Sequence, residues 1–259
     1  MASLRSSLSR ITALVFLLRS ISSAAVEPEI HVYDDSLESP GSANLTVNNN
    51  YVAHGPLFAP FRGAVVPEGS LTGGTELAYG VRPGIEGGIY LPIVSVERSG
   101  ALRLDGAELR MLLIPPSDAG ASPAPLFYGV NVALDINTRA LSQRTFSGEV
   151  QPIVGGRWHQ VTLAINLNLD AGFDGMAKVR FSPSERVAFA ASPLWTVGLE
   201  HYSDWGPLAH LLARGEAQHT VFVVAQETIG PSTIEAGVGR GFSADSDRTV
   251  IKISLSFEL

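Results

Sequence analysis

The C-terminal stretch Thr249–Leu259, TVIKISLSFEL, alternates between apolar and mostly polar residues. Its apolar set consists of Ile251, Ile253, Leu255, Phe257 and Leu259, and its polar set of Lys252, Ser254, Ser256 and Glu258. Successive side chains of a β-strand point to opposite faces. The stretch therefore predicts a strand that is apolar on one face and polar on the other.

The same alternation recurs along the chain, most clearly in Trp158–Asp170. Clusters of Gly, Pro, Asn, Asp and Ser separate the alternating stretches, as expected for turns. The leucines of Ala101–Leu113 share one face if a bulge near Asp105–Gly106 resets the register. The pattern predicts twelve strands, and one miscounted hairpin would give ten or fourteen: Ser42–Val52, Thr75–Val81, Gly87–Val96, Ala101–Leu113, Gly129–Asn137, Thr145–Val154, Trp158–Asp170, Lys178–Ala190, Leu194–Tyr202, Gln218–Glu227, Ser232–Arg240 and Thr249–Leu259.

Tight and long connections fall at opposite ends of these strands, with one exception, the longer proline-rich connection Pro115–Pro125 among the tight turns. The predicted tight turns are at residues 82–84, Gly155–Gly156, 192–193 and 230–231, and the long connections span residues 54–74 and 203–217. This asymmetry is typical of bacterial outer-membrane barrels. We expect an all-β fold, a transmembrane antiparallel up-and-down β-barrel whose last strand pairs with the first near residues 44–50. A soluble barrel or sandwich, with the apolar face turned to a dry core, is the alternative.

The N-terminus has the pattern of an export signal. Arg5 and Arg10 precede the apolar stretch Ile11–Leu18, and Ser23-Ala24-Ala25 forms a small-residue cleavage site. We expect a signal peptide over residues 1–25, removed after Ala25, a periplasmic N-terminal lead over residues 26–41 and an outer-membrane barrel over residues 42–259.

Composition excludes some partners. The formal net charge is −7, and removal of the three arginines in residues 1–25 makes it −10. Such a chain does not suit nucleic acid, which requires a basic face. The chain has no cysteine, so a closed hydrogen-bonded sheet has to supply the stability that disulfides give other exported proteins.

Charged residues on the polar face are the candidate functional residues. The predicted lumen or solute-contacting set is Glu76, Arg103, Glu108, Arg110, Asp135, Arg180, Glu200, Glu235, Arg240 and Lys252. Two interpretations remain open. The charges pair with one another and fill a narrow barrel, or they line a pathway and select a solute.

Two further segments carry a family resemblance: Gly198–Leu208 and Gly237–Phe242, taken with Val250-Ile251-Lys252. They resemble a group of poorly characterised proteobacterial outer-membrane β-barrel proteins, described as transporters or as phenol-degradation-pathway outer-membrane proteins. The resemblance implies a barrel fold, an outer-membrane location and contact with outer-membrane lipid and lipopolysaccharide. It does not identify a solute.

The C-terminus predicts a further partner, the barrel-assembly machinery. Outer-membrane barrels usually end on an aromatic residue, whereas this chain ends on Leu259 with Phe257 on the same face. We expect this last strand to be needed for membrane insertion.

Enzymatic and metal-dependent functions find less support in the sequence. His201, Ser203 and Asp204 provide hydrolase side chains without the spacing of a nucleophile elbow. His201, His210 and His219 lack chelating spacing. We expect no cofactor and no metal. The functions considered are a small channel or transporter, a structural or partner-binding barrel with an occluded lumen, and a lipid-modifying hydrolase.

Overall fold

A computed structural model describes residues 30–116, 125–173, 178–243 and 246–259, and shows one closed antiparallel sheet. The first seven strand segments are β1 Ala43–His54, β2 Leu71–Arg82, β3 Ile85–Val96, β4 Leu102–Leu113, β5 Leu126–Asn137, β6 Phe146–Trp158 and β7 Val161–Asn166. The others are β8 Leu169–Gly172, β9 Arg180–Phe181, β10 Ser184–Ala190, β11 Trp195–Asp204, β12 Gln218–Ile229, β13 Ser232–Gly241 and β14 Thr249–Glu258.

The fourteen segments make twelve barrel strands. β7 and β8 both pair with β6 and form one strand that is interrupted at residues 167–168. β9 and β10 form another, interrupted at residues 182–183 where Pro183 cannot donate a ladder hydrogen bond. β14 pairs with β1 from Asn44↔Glu258 onward, which closes the barrel. The twelve-strand barrel and the pairing of the last strand with the first are both confirmed.

Register explains where the sequence prediction was right and where it was wrong. The predicted bulge is present, because Ile93 pairs with Gly106 and Val94 with Leu104. The predicted turn at Gly155–Gly156 was wrong, since β6 continues to Trp158. A Cβ on Gly155 would lie 2.1 Å from the Phe127 ring. This glycine allows a close approach inside a strand and does not mark a turn.

The outward face of the barrel is an apolar belt, as predicted. Its members are more than a third exposed and include Leu77, Ile89, Leu109, Leu134, Val154, Val187, Leu199, Val223, Val238 and Ile253. Aromatic side chains lie near strand ends on the same face, among them Tyr51, Tyr79, Trp158, Trp195 and Phe257. In the described part of the chain, no helix has the length and apolarity needed to cross a membrane.

Two ends of the barrel can be distinguished by their connections. The loop end carries the connections at residues 55–70 and 205–217. The turn end carries the tight connections at residues 83–84, 159–160 and 230–231, together with the start of β1 and the end of β14.

Residues 30–41, here named the N-terminal segment, lie inside the barrel. Val32 and Tyr33 are buried among inward-facing side chains of β4 to β7. This location corrects the prediction of a periplasmic lead over residues 26–41, because the described part of that lead has its hydrogen-bond partners within the lumen. Residues 26–29 and the predicted signal peptide, residues 1–25, lie outside the described residues.

Candidate functional site

The interior of the barrel holds a buried group of two acids and two bases, here named the Lys252 cluster: Arg186, Glu200, Glu235 and Lys252. The Lys252 Nζ lies 2.6 Å from Glu200 Oε2 and 2.9 Å from Glu235 Oε1. The Arg186 Nη1 lies 3.2 Å from Glu200 Oε1 and 2.9 Å from Glu235 Oε2. All four side chains are at most 12% exposed. Each carboxylate therefore bridges both cations, and the formal charge of the cluster is zero.

A second group, the Arg110 cluster, consists of Glu76, Glu86 and Arg110. The guanidinium forms an ion pair with Glu76 and a second one, at 2.9 Å, with Glu86. These side chains are between 4% and 7% exposed. The Arg110 guanidinium also lies 5.3 Å from the centre of the Tyr33 ring. The cluster holds two acids and one base, so it carries a formal charge of −1.

The other predicted residues lie toward the loop end. Glu108 and Asp135 are opposite each other in the β4–β5 ladder, and Ser147 donates a 2.9 Å hydrogen bond to Asp135. Arg180 forms an ion pair with Asp204. Arg103 pairs with Glu97 at 3.5 Å and donates to the Gly63 carbonyl in the first long loop. These residues are not part of either named cluster.

Arg240 was assigned to the interior, and the structure places it on the outward face. In β13 from Ile234 onward, the even-numbered residues, such as Val238 and Arg240, are exposed on the outward face. The odd-numbered residues, Glu235 and three glycines, are buried on the inward face. The Arg240 guanidinium donates a 3.3 Å hydrogen bond to the Arg248 carbonyl at the loop end. The physical reason is the strict period of two, which puts residues five apart on opposite faces.

Three buried charges were missing from the sequence prediction. Arg186 has the same parity as Arg180, so counting along the strand would have found it. Glu86 is the second residue of β3 and lies one residue before the predicted strand start at Gly87. Asp105 is fully buried at the β4 bulge, where its carboxylate accepts a hydrogen bond from Ser95. A bulge residue has no reliable parity, so alternation did not predict this one.

The N-terminal segment is held along its length by contacts with distant strands. The Ile30 carbonyl accepts a 3.1 Å hydrogen bond from Lys252 Nζ. The backbone N–H of Tyr33 donates a 2.7 Å hydrogen bond to Asn166 Oδ1, and Asn166 Nδ2 donates a 2.8 Å hydrogen bond to the Tyr33 carbonyl. Asp35 forms a bidentate ion pair with Arg157. The segment thus uses polar anchors without joining the barrel sheet as a strand.

The exit of the segment from the lumen depends on Gly80 in β2. The Gly41 N–H donates a 2.8 Å hydrogen bond to the Gly80 carbonyl, and the Gly80 N–H donates a 3.0 Å hydrogen bond to the Ser42 carbonyl. A Cβ on Gly80 would lie 2.2 Å from the Ser39 carbonyl oxygen. Only glycine leaves room for the chain to cross β2 at this point.

Apolar side chains of the N-terminal segment also pack against the barrel wall. Ile30 packs on an inward-facing group that includes Val52, Phe222, Val224 and Val250. Val32 and Tyr33 belong to a second group with Leu112, Ile114, Phe127, Ile153 and Ala164. These contacts bury the apolar side chains of the N-terminal segment, which would otherwise face water. The segment thus occupies part of the lumen and packs against the barrel wall.

A cavity of about 570 Å³ remains between the N-terminal segment and the barrel wall, mainly in the turn-end half. Its polar lining includes Asn44, Thr46, Asn48, Thr233, Ser254 and Ser256. Glu38 and Glu258 line it at the turn end. Burial raises the pKa of the Glu38 carboxyl above its ordinary value, and the nearby carboxylates of Glu86 and Glu258 raise that pKa further.

The hydrolase side chains do not form a catalytic pair. Both ring nitrogens of His201 are engaged on the outward face, by Glu185 at 2.7 Å and His219 at 3.1 Å. The Ser203 hydroxyl donates 3.1 Å to the Pro183 carbonyl, so it has no hydrogen bond to His201. Across the described ranges no three His, Cys, Asp or Glu residues are grouped to hold a metal ion.

Comparison with known proteins gives structural matches. No family model matches the chain, and no curated protein matches it by sequence. The barrel is similar to the COG4313 outer membrane channel from Pseudomonas putida F1, with a TM-score of 0.64, 10% identity, and coverage of 89% of this chain and 100% of that one.

Two porins are similar at a lower level. The KdgM porin matches with a TM-score of 0.54 and 8% identity, covering 83% of this chain and 99% of its own. The NanC porin matches with a TM-score of 0.54 and 9% identity, covering 84% and 100%. At these identities the likeness establishes the fold alone, a closed antiparallel β-barrel.

Proposed function

We propose that the protein is an outer-membrane channel for a small solute and that the N-terminal segment holds it closed. One observation carries this proposal: the lumen contains both a cavity of about 570 Å³ and a segment that fills the remaining space without joining the sheet. The barrel ladder is complete without the segment. Withdrawal of the segment would therefore widen the lumen without breaking any pairing between barrel strands, and it would give up the backbone contacts of residues 40–41 with Gly80.

The contacts of the segment suit a reversible closure. Its anchors are side-chain and backbone hydrogen bonds and one partly exposed ion pair, Asp35–Arg157, whose side chains are 16% and 20% exposed. Polar contacts of this kind exchange readily with water when a path for water opens. The channels and porins with similar folds agree with this proposal, although their solutes are not carried over to this chain.

A structural or partner-binding barrel with an occluded lumen is the second candidate. The completeness of the Lys252 cluster favours it, because Arg186, Glu200 and Glu235 all lie within salt-bridge distance of an opposite charge. In this case the N-terminal segment is a permanent part of the core, and no solute passes.

The proposed orientation places the turn end in the periplasm and the loop end outside the cell, after export and cleavage behind Ala25. Outer-membrane lipid, lipopolysaccharide and the barrel-assembly machinery are its proposed partners. The kinship with phenol-degradation-pathway outer-membrane proteins belongs to the same proposal, and its support is the motif resemblance in residues 198–208 and 237–242.

The native chain has no cysteine, so two introduced cysteines allow a direct test of whether the segment closes the lumen. Tyr33→Cys and Asn166→Cys place thiols on two residues joined by two hydrogen bonds. The refolded protein is joined at these positions with a short bifunctional methanethiosulfonate and studied in planar bilayers. We expect no conductance steps with the bridge intact and conductance steps after reduction.

The matched control is a bridge that leaves the N-terminal segment free. Leu45→Cys and Leu77→Cys lie directly opposite each other in the β1–β2 ladder on the outward face. This bridge should leave the conductance unchanged. Equal conductance of the Tyr33–Asn166 variant before and after reduction would show that the segment is not the closing element. Absence of conductance in every state would refute the channel and favour the occluded barrel.

A further inference from the structure

The cavity beside the N-terminal segment is lined by an excess of acidic side chains. Six carboxylates face it, those of Asp34, Glu38, Glu76, Glu86, Glu235 and Glu258. Among the residues that the structure describes, two guanidiniums, those of Arg110 and Arg186, line the same space. The cavity lining therefore has a formal charge of −4 with histidine neutral.

Both guanidiniums are already used by buried carboxylates. Arg110 pairs with Glu76 and Glu86, and Arg186 pairs with Glu200 and Glu235. Across the described residues no ion pair joins Asp34, Glu38 or Glu258 to a base. The excess charge is thus concentrated at the turn end.

The geometry strengthens the effect of this charge. The carboxylates of Glu76, Glu86 and Glu235 are at most 8% exposed, so little bulk water screens them. Asp34 and Glu38 are partly buried, and Glu258 is exposed at the cavity mouth. Burial raises the pKa of the Glu38 carboxyl, and the nearby carboxylates of Glu86 and Glu258 raise that pKa further. Most of the remaining lining consists of neutral hydroxyl and amide groups, which can replace the hydration shell of a small polar solute or cation.

We infer that the turn-end half of the lumen concentrates cations and excludes anions, so that cationic and neutral polar solutes are the class the channel passes. This inference rests on the proposed channel for its link to transport. The accumulation of cations in the cavity can be measured without any transport.

The test uses a thiol inside the cavity and reagents of opposite charge. Ser254→Cys places a thiol on the cavity wall. Its modification rates with a cationic trimethylammonium and an anionic sulfonate methanethiosulfonate are each divided by the rate for free cysteine. We expect the normalised ratio to favour the cationic reagent by about tenfold at low salt and to fall at high salt.

Two further variants identify the source of the preference. Glu38→Gln with Glu258→Gln removes two carboxylates of the cavity mouth and should move the ratio several-fold toward unity. Glu227→Gln is the matched control, because Glu227 lies near the turn end of β12 and faces the side opposite to its neighbour Gln226, which lines the cavity. It should leave the ratio unchanged.

The outcomes for the two proposals are separate. A ratio near unity or in favour of the anionic reagent, with a well-folded barrel, would overturn the inference. Reversal potentials in a KCl gradient give a second measurement, in which anion selectivity would overturn it as well. If no current flows in any variant while the thiol ratio favours cations, the channel proposal fails and the acidic cavity stands.

Discussion

Replacement of Lys252 by Met removes the central cation of the Lys252 cluster. The side chain is 5% exposed and contacts two carboxylates and the Ile30 carbonyl. Without it, Glu200 and Glu235 share Arg186 alone, and the formal charge of the cluster changes from zero to −1. Removal of one partner from a buried ion pair costs about 3–5 kcal/mol, because the other charge is left without compensation.

A second substitution tests whether charge imbalance causes this loss. Adding Glu200→Gln to Lys252→Met leaves the Arg186–Glu235 pair and restores neutrality. The double variant should lie only about 1–2 kcal/mol below the wild type in free energy of unfolding, and thus above the single variant. Packing alone would instead make the double variant less stable than the single one.

The assay is urea unfolding of the refolded barrel in detergent micelles. Heat-modifiable gel migration gives the folded fraction, and tryptophan fluorescence gives an independent measure of it. Arg240→Met is the control, since Arg240 is exposed on the outward face and its removal should change the free energy of unfolding by less than about 1 kcal/mol. If Lys252→Met lowers the free energy of unfolding by less than about 1 kcal/mol, Lys252 is not needed to compensate the buried carboxylates of its cluster, and the reasoning is refuted.

Three further predictions concern the N-terminal segment, one loop and the closing strand. Gly80→Ala should expel the segment and raise thiol labelling at residues of the segment several-fold, because the added Cβ would lie 2.2 Å from the Ser39 carbonyl oxygen. Gly87→Ala is the control, since its Cβ would have its nearest neighbour, Val81, at 3.9 Å, and it should behave as wild type. Burial, and then the Glu68 carboxylate, raise the pKa of Asp247 to about 6 from 3.8. Its charged form therefore opposes folding above pH 6, and this cost is relieved as the pH falls toward 3.8. The free energy of unfolding, obtained from denaturant midpoints, should rise by about 2 kcal/mol from pH 7.5 to 4.5, and Asp247→Asn should abolish this rise. A pH dependence that survives this substitution would assign the effect to another group. Deletion of residues 257–259 should abolish membrane insertion, measured as heat-modifiable protein in outer-membrane fractions, and normal insertion would contradict their role in closure.

Much of the barrel could be predicted from the sequence because its dominant signal is local. Leu109 and Arg110 are neighbours in β4, one exposed at 58% and the other buried at 5%, and alternation alone assigns each to its face. The same rule, applied strictly, would have separated Glu235 from Arg240. Glycines were less informative, since Gly155 resembles a turn residue in sequence and is a packing residue in the structure.

The contents of the lumen could not be predicted in this way. Tyr33 and Asn166 are 133 positions apart, and Ile30 and Lys252 are 222 apart. No periodicity in residues 30–41 records these partners, so the segment was interpreted as a lead outside the barrel. The charges of the interior were partly predicted. Their grouping depends on the curvature of the sheet, because Arg186, Glu200, Glu235 and Lys252 lie on β10, β11, β13 and β14, which are successive strands on the two sides of β12.

The location of the N-terminal segment imposes an order on assembly. Its anchors belong to β3, β6, β7 and β14, which lie in different parts of the barrel circumference. No subset of neighbouring strands offers all of these contacts, so the segment reaches its final position only when β14 has met β1. Residues that precede every strand in the chain are therefore among the last to settle. A barrel that has closed around its own N-terminal segment is distinguishable from one that has closed empty, and quality control during biogenesis could act on that difference.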